Sequence, residues 1–520
     1  MSATTKITPD AELFKSSLNT SGGVIHYQWE ENMPVTTSGY LPFFAEFLHA
    51  GGRFDALAES CPLKYQSNNA PRVRDVLGTA MVSILSGHTR YRQAGALYGD
   101  TIPAQCLDLK KFVSYDSLRR AFGNTEEEKI VSWLEKQLFD CCEPLLGNAY
   151  ILDLDPTVKI LYGNQEGAEI GYNPKKPGRP SHCLHTFCVA GARLLLNVEV
   201  RPGNETAGKY SHDGLWRLLE RQLPRNRYPR LIRGDIGFGN EETMAGCESR
   251  RVNYLFKLRQ SANVKKLIET LSAGNASSDW QNAGQGWQGC ETRLQLMGWS
   301  CSRRVIALRR LHTAKPREEN RKIILTMTPV QDDLLVELLP DDTPVPEYEW
   351  AILVTSLTDS IPAVAQLYRD RGDAENIFDE LKNQWGWNGF TTQDMKRTNL
   401  MARLTALVYN WWNIFCRLAE SERHIEAETS RMTIQNVIGR LTNTGGRRLL
   451  HLCASGNHGK STMAAFNRIT AFLSTLFSTA AQLAVEQRWA KILTEAFKLF
   501  LHGDTLSPGE IGGQFILPLA

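Results

Sequence analysis

The stretch YILDLDPT, residues 150–157, marks the point where the spacing of apolar residues changes from helical to strand-like. Side chains alternate up to Asp155, which predicts a strand with Asp153 and Asp155 on one face. The stretch RLIRGD, residues 230–235, reads as a second strand that also finishes on an aspartate, Asp235. Strands of this kind, with a short amphipathic helix between them, predict an α/β core.

The regions around this core differ in periodicity and composition. Helical spacing precedes the core, a Gly-, Asn-, Gln- and Trp-rich stretch interrupts it, and helical spacing returns near the end. We predict five parts from these changes: a loosely organised leader over 1–70, a helical domain over 71–147, a core divided into 148–260 and 346–398, a largely β insertion over 261–345, and a helical C-terminal domain over 399–520.

The composition is that of an ordinary globular protein with more than one domain. At 520 residues, 42% of them hydrophobic and 22% charged, the chain is too long for a single hydrophobic core. No apolar run reaches the roughly 18 residues of a membrane span, and residues 1–12 lack the apolar core of an export signal. The eleven cysteines form no CxxC pair, so we expect reduced thiols in a cytoplasm and no membrane partner.

Basic residues are clustered although the net charge is only +3. Two clusters could neutralise nucleic-acid phosphates or could simply form solvated faces beside acidic neighbours: Arg221, Arg225, Arg227, Arg230 and Arg233 in one, and Arg303, Arg304, Arg309 and Arg310 in the other. Charge therefore permits a nucleic-acid partner without requiring one.

Three carboxylates stand where catalytic acids usually stand, at strand ends and on an adjoining helix. Asp155 is followed by Thr157, Asp235 is followed by a Gly-Phe-Gly turn, and Glu375 lies on a predicted long helix over 363–383. Cleavage of a phosphodiester bond needs an activated hydroxyl and a neutralised leaving oxygen, and two Mg²⁺ ions held by carboxylates supply both. Each acid taken alone is more often a turn former, a helix cap or a solvated side chain.

The residues around the third acid carry a family resemblance. Residues 368–382 have the spacing Y-x2-R-x3-E-x6-K, and the two aspartates precede them in order. This combination resembles the Tyr-Arg-Glu-Lys signature and the Asp-Asp-Glu triad of bacterial insertion-sequence transposases of the DDE type. The resemblance runs from about Val76 to past Trp412 and includes the stretch GYNPKKPGRP, residues 171–180. It implies a ribonuclease H-like catalytic core with a β-rich insertion, flanked by helical N- and C-terminal domains.

The resemblance also implies an activity and its partners. The chain would be a bacterial DNA transposase, nucleoid-associated in the cytoplasm, in which Asp155, Asp235 and Glu375 are catalytic and hold two Mg²⁺ ions, with Mn²⁺ as a substitute. The helical domain over 71–147 would bind the terminal inverted repeats, and a homodimer would cut the ends through hairpins and join them to target DNA, without a nucleotide cofactor. The residues expected to contact DNA are Tyr368, Arg371, Lys382, Trp350, Lys175, Lys176 and Arg179.

Several alternatives stay open at this level. Asp153 shares a face with Asp155 and could be the first acid, although Asp155 is favoured by the Thr that follows it. Asp379 and Glu380 are rivals of Glu375, but neither keeps the spacing of the signature. The alternative functions are a metal-dependent nuclease that does not join ends and a domesticated DNA-binding protein that no longer cleaves.

Trp350 is expected to hold a base that leaves the stack while a hairpin forms, because it precedes the strand that leads to the signature helix. Packing at the sheet edge is the alternative role, and Trp299 is the reserve candidate. Two further motifs are interpreted as structural. Residues 454–461, ASGNHGKS, lack the first glycine of a phosphate-binding loop, and the cluster His182, Cys183, His185 and Cys188 lacks a second ligand pair at zinc spacing.

Overall fold

The computed structural model of the chain describes residues 16–27, 34–65, 67, 69–147, 150–205, 207–273, 279–311, 348–454, 459–479, 482–501 and 506. Its N-terminal part holds β1 (Ser16–Thr20), β2 (Gly23–Tyr27), β3 (Val35–Thr36), α1 (Leu41–Ala50) and α2 (Arg53–Glu59). The prediction of a loosely organised leader is wrong over residues 41–59. Leu41, Phe44 and Phe47 of α1 are fully buried, and their helical spacing is the signal that the composition of the segment concealed.

Helices follow over the region where helical spacing predicted them. They are α3 (Val73–Leu85), α4 (Thr101–Cys106), α5 (Tyr115–Gly123) and α6 (Glu127–Cys142). Helix α3 is buried on all sides from Asp75 to Leu85, which indicates that it lies inside the protein and not on its surface.

A mixed sheet of nine strands forms the centre and confirms a mixed α/β fold. Along the chain, its strands and the helices between them are β4 (Ile151–Ile160), β5 (Ser181–Val189), β6 (Leu194–Pro202), α7 (Ala207–Gln222), β7 (Leu231–Gly234), α8 (Glu241–Arg250), β8 (Asn253–Lys257), α9 (Ala262–Ser272), β9 (Gln281–Gly284), β10 (Trp287–Leu294), β11 (Arg303–Leu311) and β12 (Tyr348–Thr355). Within the sheet the strands lie in the order β6-β5-β4-β7-β8-β12-β11-β10-β9. Strands β4, β7 and β8 are parallel neighbours, and the other pairs are antiparallel.

The described part of the predicted insertion extends the central sheet and is not a separate β unit. Strand β11 pairs with β12 along its length, with Ile306 opposite Leu353 and Leu308 opposite Ala351. These four side chains are buried in one apolar cluster, which explains why the insertion continues the sheet. Two parts of the predicted insertion, residues 274–278 and 312–345, lie outside the described residues.

The remaining elements are α10 (Ile361–Arg369), α11 (Gly372–Asn383), α12 (Met395–Ala419), α13 (Ala427–Ser430), β13 (Ile438–Thr444), β14 (Arg447–Cys453), α14 (Gly459–Thr479) and α15 (Val485–Ala496). Two predictions are corrected here. The helix predicted over 363–383 is broken at Asp370 and Arg371, and the C-terminal region contains the hairpin β13–β14, which pairs with β3. Within the described ranges, no helix has both the length and the apolar character needed to cross a bilayer.

Helix α12 closes one edge of the sheet with asparagine side chains. Asn410 accepts a hydrogen bond from the Leu195 amide at 2.9 Å and donates one to the Leu195 carbonyl at 2.7 Å, and Asn399 accepts one from the Val200 amide at 3.1 Å. Strand β6 is outermost in the sheet, so these side chains satisfy backbone groups that would otherwise be buried without partners. Because α12 also packs against α3, α6, α14 and α15, helices that precede the sheet in the chain and helices that follow it form one helical shell.

This closure predicts that Asn410→Ala destabilises the protein by about 2–4 kcal/mol, because it leaves the buried Leu195 amide unpaired and the Leu195 carbonyl with only the weak donor of the Cys142 thiol. The effect should be measured as a fall in thermal midpoint. The matched control is Asn443→Ala, which truncates an exposed asparagine on β13 and should change stability by less than about 0.5 kcal/mol. An unchanged midpoint for Asn410→Ala would show that the edge is closed by other means.

Candidate active site

Asp155 and Asp235 lie side by side because β4 and β7 are parallel and in register. Leu154 is opposite Gly234, so the next residue of each strand is one of the two aspartates. Asp235 follows the last residue of β7, and its Oδ1 accepts a hydrogen bond from the Gly237 amide at 3.0 Å. Asp155 does not end its strand as predicted, because β4 continues to Ile160 by pairing with β5.

Glu375 reaches the same edge from the first turn of α11. Its side chain is 67% exposed, and its Oε1 lies 3.4 Å from Nη2 of Arg371. Nη1 of Arg371 lies 3.0 Å from Oδ2 of Asp155, and the guanidinium is 5.6 Å from the centre of the Tyr368 ring. The structure therefore brings three signature residues, Tyr368, Arg371 and Glu375, into one cluster with the first acid.

The charges of the three acids act on one another. Burial raises the pKa of Asp155 from 3.8 to about 7; the Arg371 guanidinium opposes this rise, and the carboxylates of Asp235 and Glu375 add to it. Ionised Asp155 is therefore unfavourable in the protein by itself. A cation placed among the three carboxylates would relieve this repulsion.

The donor set fits hard divalent cations, because all three candidate ligands are carboxylate oxygens. The carboxylate oxygens of Asp155, Asp235 and Glu375 do not all lie within 4.8 Å of one another. Within the described ranges, the group of three potential ligands that comes within 4.8 Å of one another is a different one, formed by His212, Asp213 and Glu242 on α7 and α8. Sequence reasoning missed this group because nothing in the spacing of the three residues marks them as a set. For the triad, Glu375 is the member that can move inward, because its side chain is mostly exposed.

Asp153, the rival first acid, is engaged in a buried ion pair. Its two oxygens accept hydrogen bonds from Nε and Nη2 of Arg233 at 2.6 and 2.7 Å, and both side chains are almost completely buried. Removal of either partner would leave a buried charge uncompensated, which is the behaviour of a structural pair. This geometry leaves Asp155 as the carboxylate of β4 that contacts Arg371.

The rivals of Glu375 have other partners. Glu380 is buried and accepts hydrogen bonds from the Trp385 indole at 3.0 Å and the Ala427 amide at 2.9 Å. Asp379 accepts one from the Asn383 side chain at 2.8 Å. Neither contacts Arg371 or Asp155, which favours Glu375 on geometry as well as on spacing.

Basic side chains border the acids. Burial and, to a smaller extent, the charge of Lys175 lower the pKa of Lys382 from 10.5 to about 8, so the two lysines are within electrostatic reach of each other. Lys176 and Arg179 both lie 5.1 Å from the centre of the exposed Tyr162 ring. The loop that contains Lys175, Lys176 and Arg179, called the basic loop below, thus lies with Lys382 along one border of the site.

Trp350 lies at the same edge of the sheet as the acids but on the other face. Its side chain alternates with Ala351 and Leu353, which pack under α10, so it points to the opposite side. There it makes an edge contact with Trp280 at 5.7 Å between ring centres, and Arg309 stacks on Trp280 at 3.8 Å. This aromatic cluster supplies Trp350 with partners inside the protein, as the alternative role of packing at the sheet edge requires.

Most of the clustered arginines that the structure describes in detail serve the fold. Arg303 pairs with Glu241 at 2.5 Å and Glu248 at 2.7 Å, and Arg227 pairs with Glu143 at 2.5 Å. Together with the Arg233 pair described above, these contacts favour the second interpretation of the clusters, acidic neighbours in place of DNA phosphates.

Carboxylates that meet at the edge of a sheet, with basic groups around them, define a class of enzymes that cut phosphodiester bonds with divalent metal ions. Over residues 55–473 the chain matches the family model described as Transposase DDE domain group 1, and the chain belongs to this family of DDE transposases. The family implies a metal-dependent nuclease and transposase activity.

Among solved structures, the chain is similar to the piggyBac transposase in the cryo-EM structure of its synaptic complex with hairpin DNA. The two sequences are 9% identical, the similarity covers 88% of this chain and 86% of the other, and the TM-score is 0.37. No curated protein matches the chain.

The raised pKa of Asp155 predicts a pH-dependent cost in the metal-free protein. Since the folded pKa is about 7 and the ordinary value is 3.8, the wild type should lose stability, relative to Asp155→Asn, as the pH rises through this window. In EDTA at about pH 8 the variant should melt about 2–5 °C higher than the wild type, and the gap should close near pH 4. Asp379→Asn, on the exposed side of α11, is the control and should show no such gap. A lower midpoint for Asp155→Asn at pH 8 would contradict the prediction.

Proposed function

We propose that this transposase binds the terminal inverted repeats of a bacterial insertion sequence, cuts the transposon ends by hydrolysis and joins their 3′-hydroxyl groups to target DNA. The observation that carries the proposal is the meeting of Asp155, Asp235 and Glu375 around Arg371 at one edge of the sheet. We further propose that this part of the sheet, with α10 and α11, is a ribonuclease H-like core. The working form would be a homodimer on DNA, in a bacterial cytoplasm near the nucleoid, without a nucleotide cofactor.

The three acids would hold two Mg²⁺ ions, with Mn²⁺ as a substitute. When bound, such ions activate the attacking hydroxyl and neutralise the leaving oxygen of a phosphodiester. Asp155 would be the central member of the set that holds the ions, because the charges of both other acids raise its pKa. Its partial protonation near neutral pH also means that metal binding would release a proton.

Arg371 and its neighbours have a separate task. The guanidinium lies between Asp155 and Glu375 and beside the Tyr368 ring. If Asp155 and Glu375 hold cations, the Arg371 guanidinium beside them would be available to bind a phosphate of the DNA strand at the cut. Lys382 and Lys175 would contact the same strand, with Lys176 and Arg179 further along the basic loop.

Recognition of the transposon ends is proposed for the helices over residues 71–147. Helices α3 and α6 of this region pack against α12, so the region is part of the larger helical shell. The full chain, and not a fragment ending near residue 147, is therefore the form in which end binding should be tested.

Loss of any one of the three acids should abolish catalysis and spare binding. Asp155→Asn, Asp235→Asn and Glu375→Gln should each lower cleavage and joining of end DNA by at least about 100-fold, because a metal ligand is removed. Affinity for the end sequence should stay within about two-fold, because phosphate contacts elsewhere dominate binding. Cleavage on labelled ends with Mg²⁺ and binding in EDTA measure the two effects.

The structure offers two matched controls for this experiment. Asp379→Asn, one turn after Glu375 on α11, should retain activity. Asp153→Asn should lose thermal stability and activity together, because it leaves Arg233 buried without its partner. If Asp153→Asn is stable and inactive while Asp155→Asn is active, the first acid is misassigned.

The alternative functions are separated by two simpler measurements. A nuclease that does not join ends would cut the substrate but fail to insert precleaved ends into a target plasmid. A domesticated DNA-binding protein would bind the ends but show no nicking with Mg²⁺ or Mn²⁺. Full activity in EDTA would exclude the metal mechanism.

Trp350 is proposed to hold an extruded base while the hairpin forms, since a stacked aromatic ring supplies roughly 1–3 kcal/mol. Trp350→Ala should leave the first nick nearly unchanged and slow hairpin formation by about 10-fold or more, and an abasic site at the extruded position should largely restore the rate. Time courses on nicked substrates measure the step.

Trp280→Ala is the matched control, because it removes the ring that contacts Trp350 inside the protein. It should disturb stability more than hairpin formation. If Trp350→Ala instead loses nicking and thermal stability together, Trp350 is a packing residue of the aromatic cluster and the proposed role is wrong.

A further inference from the structure

The segment over residues 429–485 contains no aspartate or glutamate, although the chain has 56 acidic residues among 520. A segment of this length would hold about six at the average frequency. It carries these lysines and arginines instead: Arg431, Arg440, Arg447, Arg448, Lys460 and Arg468. Three of the six, Arg440, Arg447 and Arg448, lie on the hairpin β13–β14, so positive charge is concentrated there.

The hairpin is a narrow ribbon with a tight tip. Its strands are seven residues each, roughly 24 Å long, and β14 is the outer strand of a three-stranded sheet. Gly445 and Gly446 have φ of 57° and 75°, as a two-residue type I′ turn requires. Residues 443–449 are all exposed, so the outer half of the ribbon stands away from the protein.

The base of the ribbon is held firmly. A side chain at Gly39 would lie 2.8 Å from the Val437 carbonyl oxygen, and one at Gly439 would lie 3.0 Å from Leu450 and from Thr36, so the chain is closely packed at both glycines. Strand β13 also pairs with β3 at this point. The tip is thus carried on a rigid base and can present its side chains in a fixed direction.

The three arginines of the ribbon are available to a partner. Arg440 and Arg447 share one face, because they lie opposite His451 and Thr444 in the register, and Arg448 lies on the other face opposite Asn443. None of the three forms an ion pair with an acid in the part of the chain that the structure describes. Burial raises the pKa of Cys106 at the end of α4, and the charge of Arg448 opposes this rise. The ribbon therefore lies within electrostatic reach of the helical region over 71–147.

We propose that the hairpin β13–β14 is a DNA-binding arm that lies in a groove of duplex DNA and contacts its phosphates through Arg440, Arg447 and Arg448. A two-stranded ribbon fits a major groove about 12 Å wide, and one with arginines on both faces can reach the two phosphate backbones that border the groove. The proposal rests on the proposed function only in taking DNA as the partner. It adds a contact surface separate from the catalytic edge and from the basic loop.

A second copy of the chain is the competing occupant, because Ile438, Leu449 and Leu452 are 53%, 51% and 41% exposed. A two-fold interface formed through this ribbon would bring the same arginines of both copies together. With no acid in the segment to offset them, the like charges would oppose such an association. The charge therefore favours a polyanion over a second copy.

The test is a salt series with full-length protein, a random-sequence duplex of about 30 base pairs as the probe, and EDTA to prevent cleavage. Fluorescence anisotropy should show that Arg447→Gln/Arg448→Gln binds about 10-fold more weakly than the wild type at moderate salt. The slope of log K against log salt should fall by about two, one for each phosphate that the variant no longer neutralises. The matched control is Arg423→Gln/Lys491→Gln, which removes the same charge from other exposed positions and should bind like the wild type.

Each outcome decides between the occupants. Unchanged affinity and slope for the double variant overturn the proposal. So does a shift to a smaller oligomer, measured by mass photometry, with affinity per chain unchanged, because the ribbon is then an interface between copies.

If the double variant unfolds at a lower temperature than the wild type, Arg440→Gln replaces it, and the slope of log K against log salt should fall by about one. If the wild type itself binds no duplex, the proposed function fails with the arm. If the wild type binds and the arginine variants bind equally well, the arm alone fails.

Discussion

The buried ion pair between Asp153 and Arg233 is the contact on which the arrangement of the three candidate acids depends. It joins β4 to β7 two residues before Asp155 and two residues before Asp235, so it fixes the distance between the first two acids. Arg233 also donates a hydrogen bond to the Leu367 carbonyl at the end of α10, just before the helix breaks. One guanidinium therefore ties together the two strands that lead to Asp155 and Asp235 and the helix that directly precedes α11, on which Glu375 lies. A buried pair of this kind contributes little net stability but orients its partners strictly, and its loss would leave a buried charge.

The break between α10 and α11 has a related consequence. Because the helix stops at Asp370 and Arg371, α11 begins anew with Glu375 in its first turn, where the positive end of a helix dipole favours a negative side chain. Arg371 at the break contacts Asp155 and Glu375 together. The site thus holds three mutually repelling acids near one arginine, an arrangement that costs stability in the metal-free protein and suits it to bind cations.

Sequence reasoning anticipated the elements that carry the three candidate acids more fully than the rest of the fold. The strands of Asp155 and Asp235 follow from local alternation, and the spacing around Glu375 from the family resemblance. The partner of Asp153 could not be predicted, because it depends on the register between strands 80 residues apart in sequence. The joining of β11 to β12 depends on the same kind of long-range pairing. The helix of Leu41 and Phe44 and the Gly445-Gly446 hairpin left local signals, but the polar composition of both regions concealed them.

Carboxylates repel the phosphates of DNA, so a site built from acids needs basic side chains elsewhere in the protein to attract its partner. The distribution of charge in this chain provides such side chains. Without metal ions, Asp155, Asp235 and Glu375 repel the phosphates that they would act upon, so the catalytic edge cannot supply the affinity for DNA. Under the proposed function, attraction comes from basic side chains instead, both those that border the acids and those of the hairpin β13–β14 in the acid-free segment. Separation of the two tasks lets DNA bind before metal ions complete the site. Affinity and catalysis should then vary independently when either surface is changed.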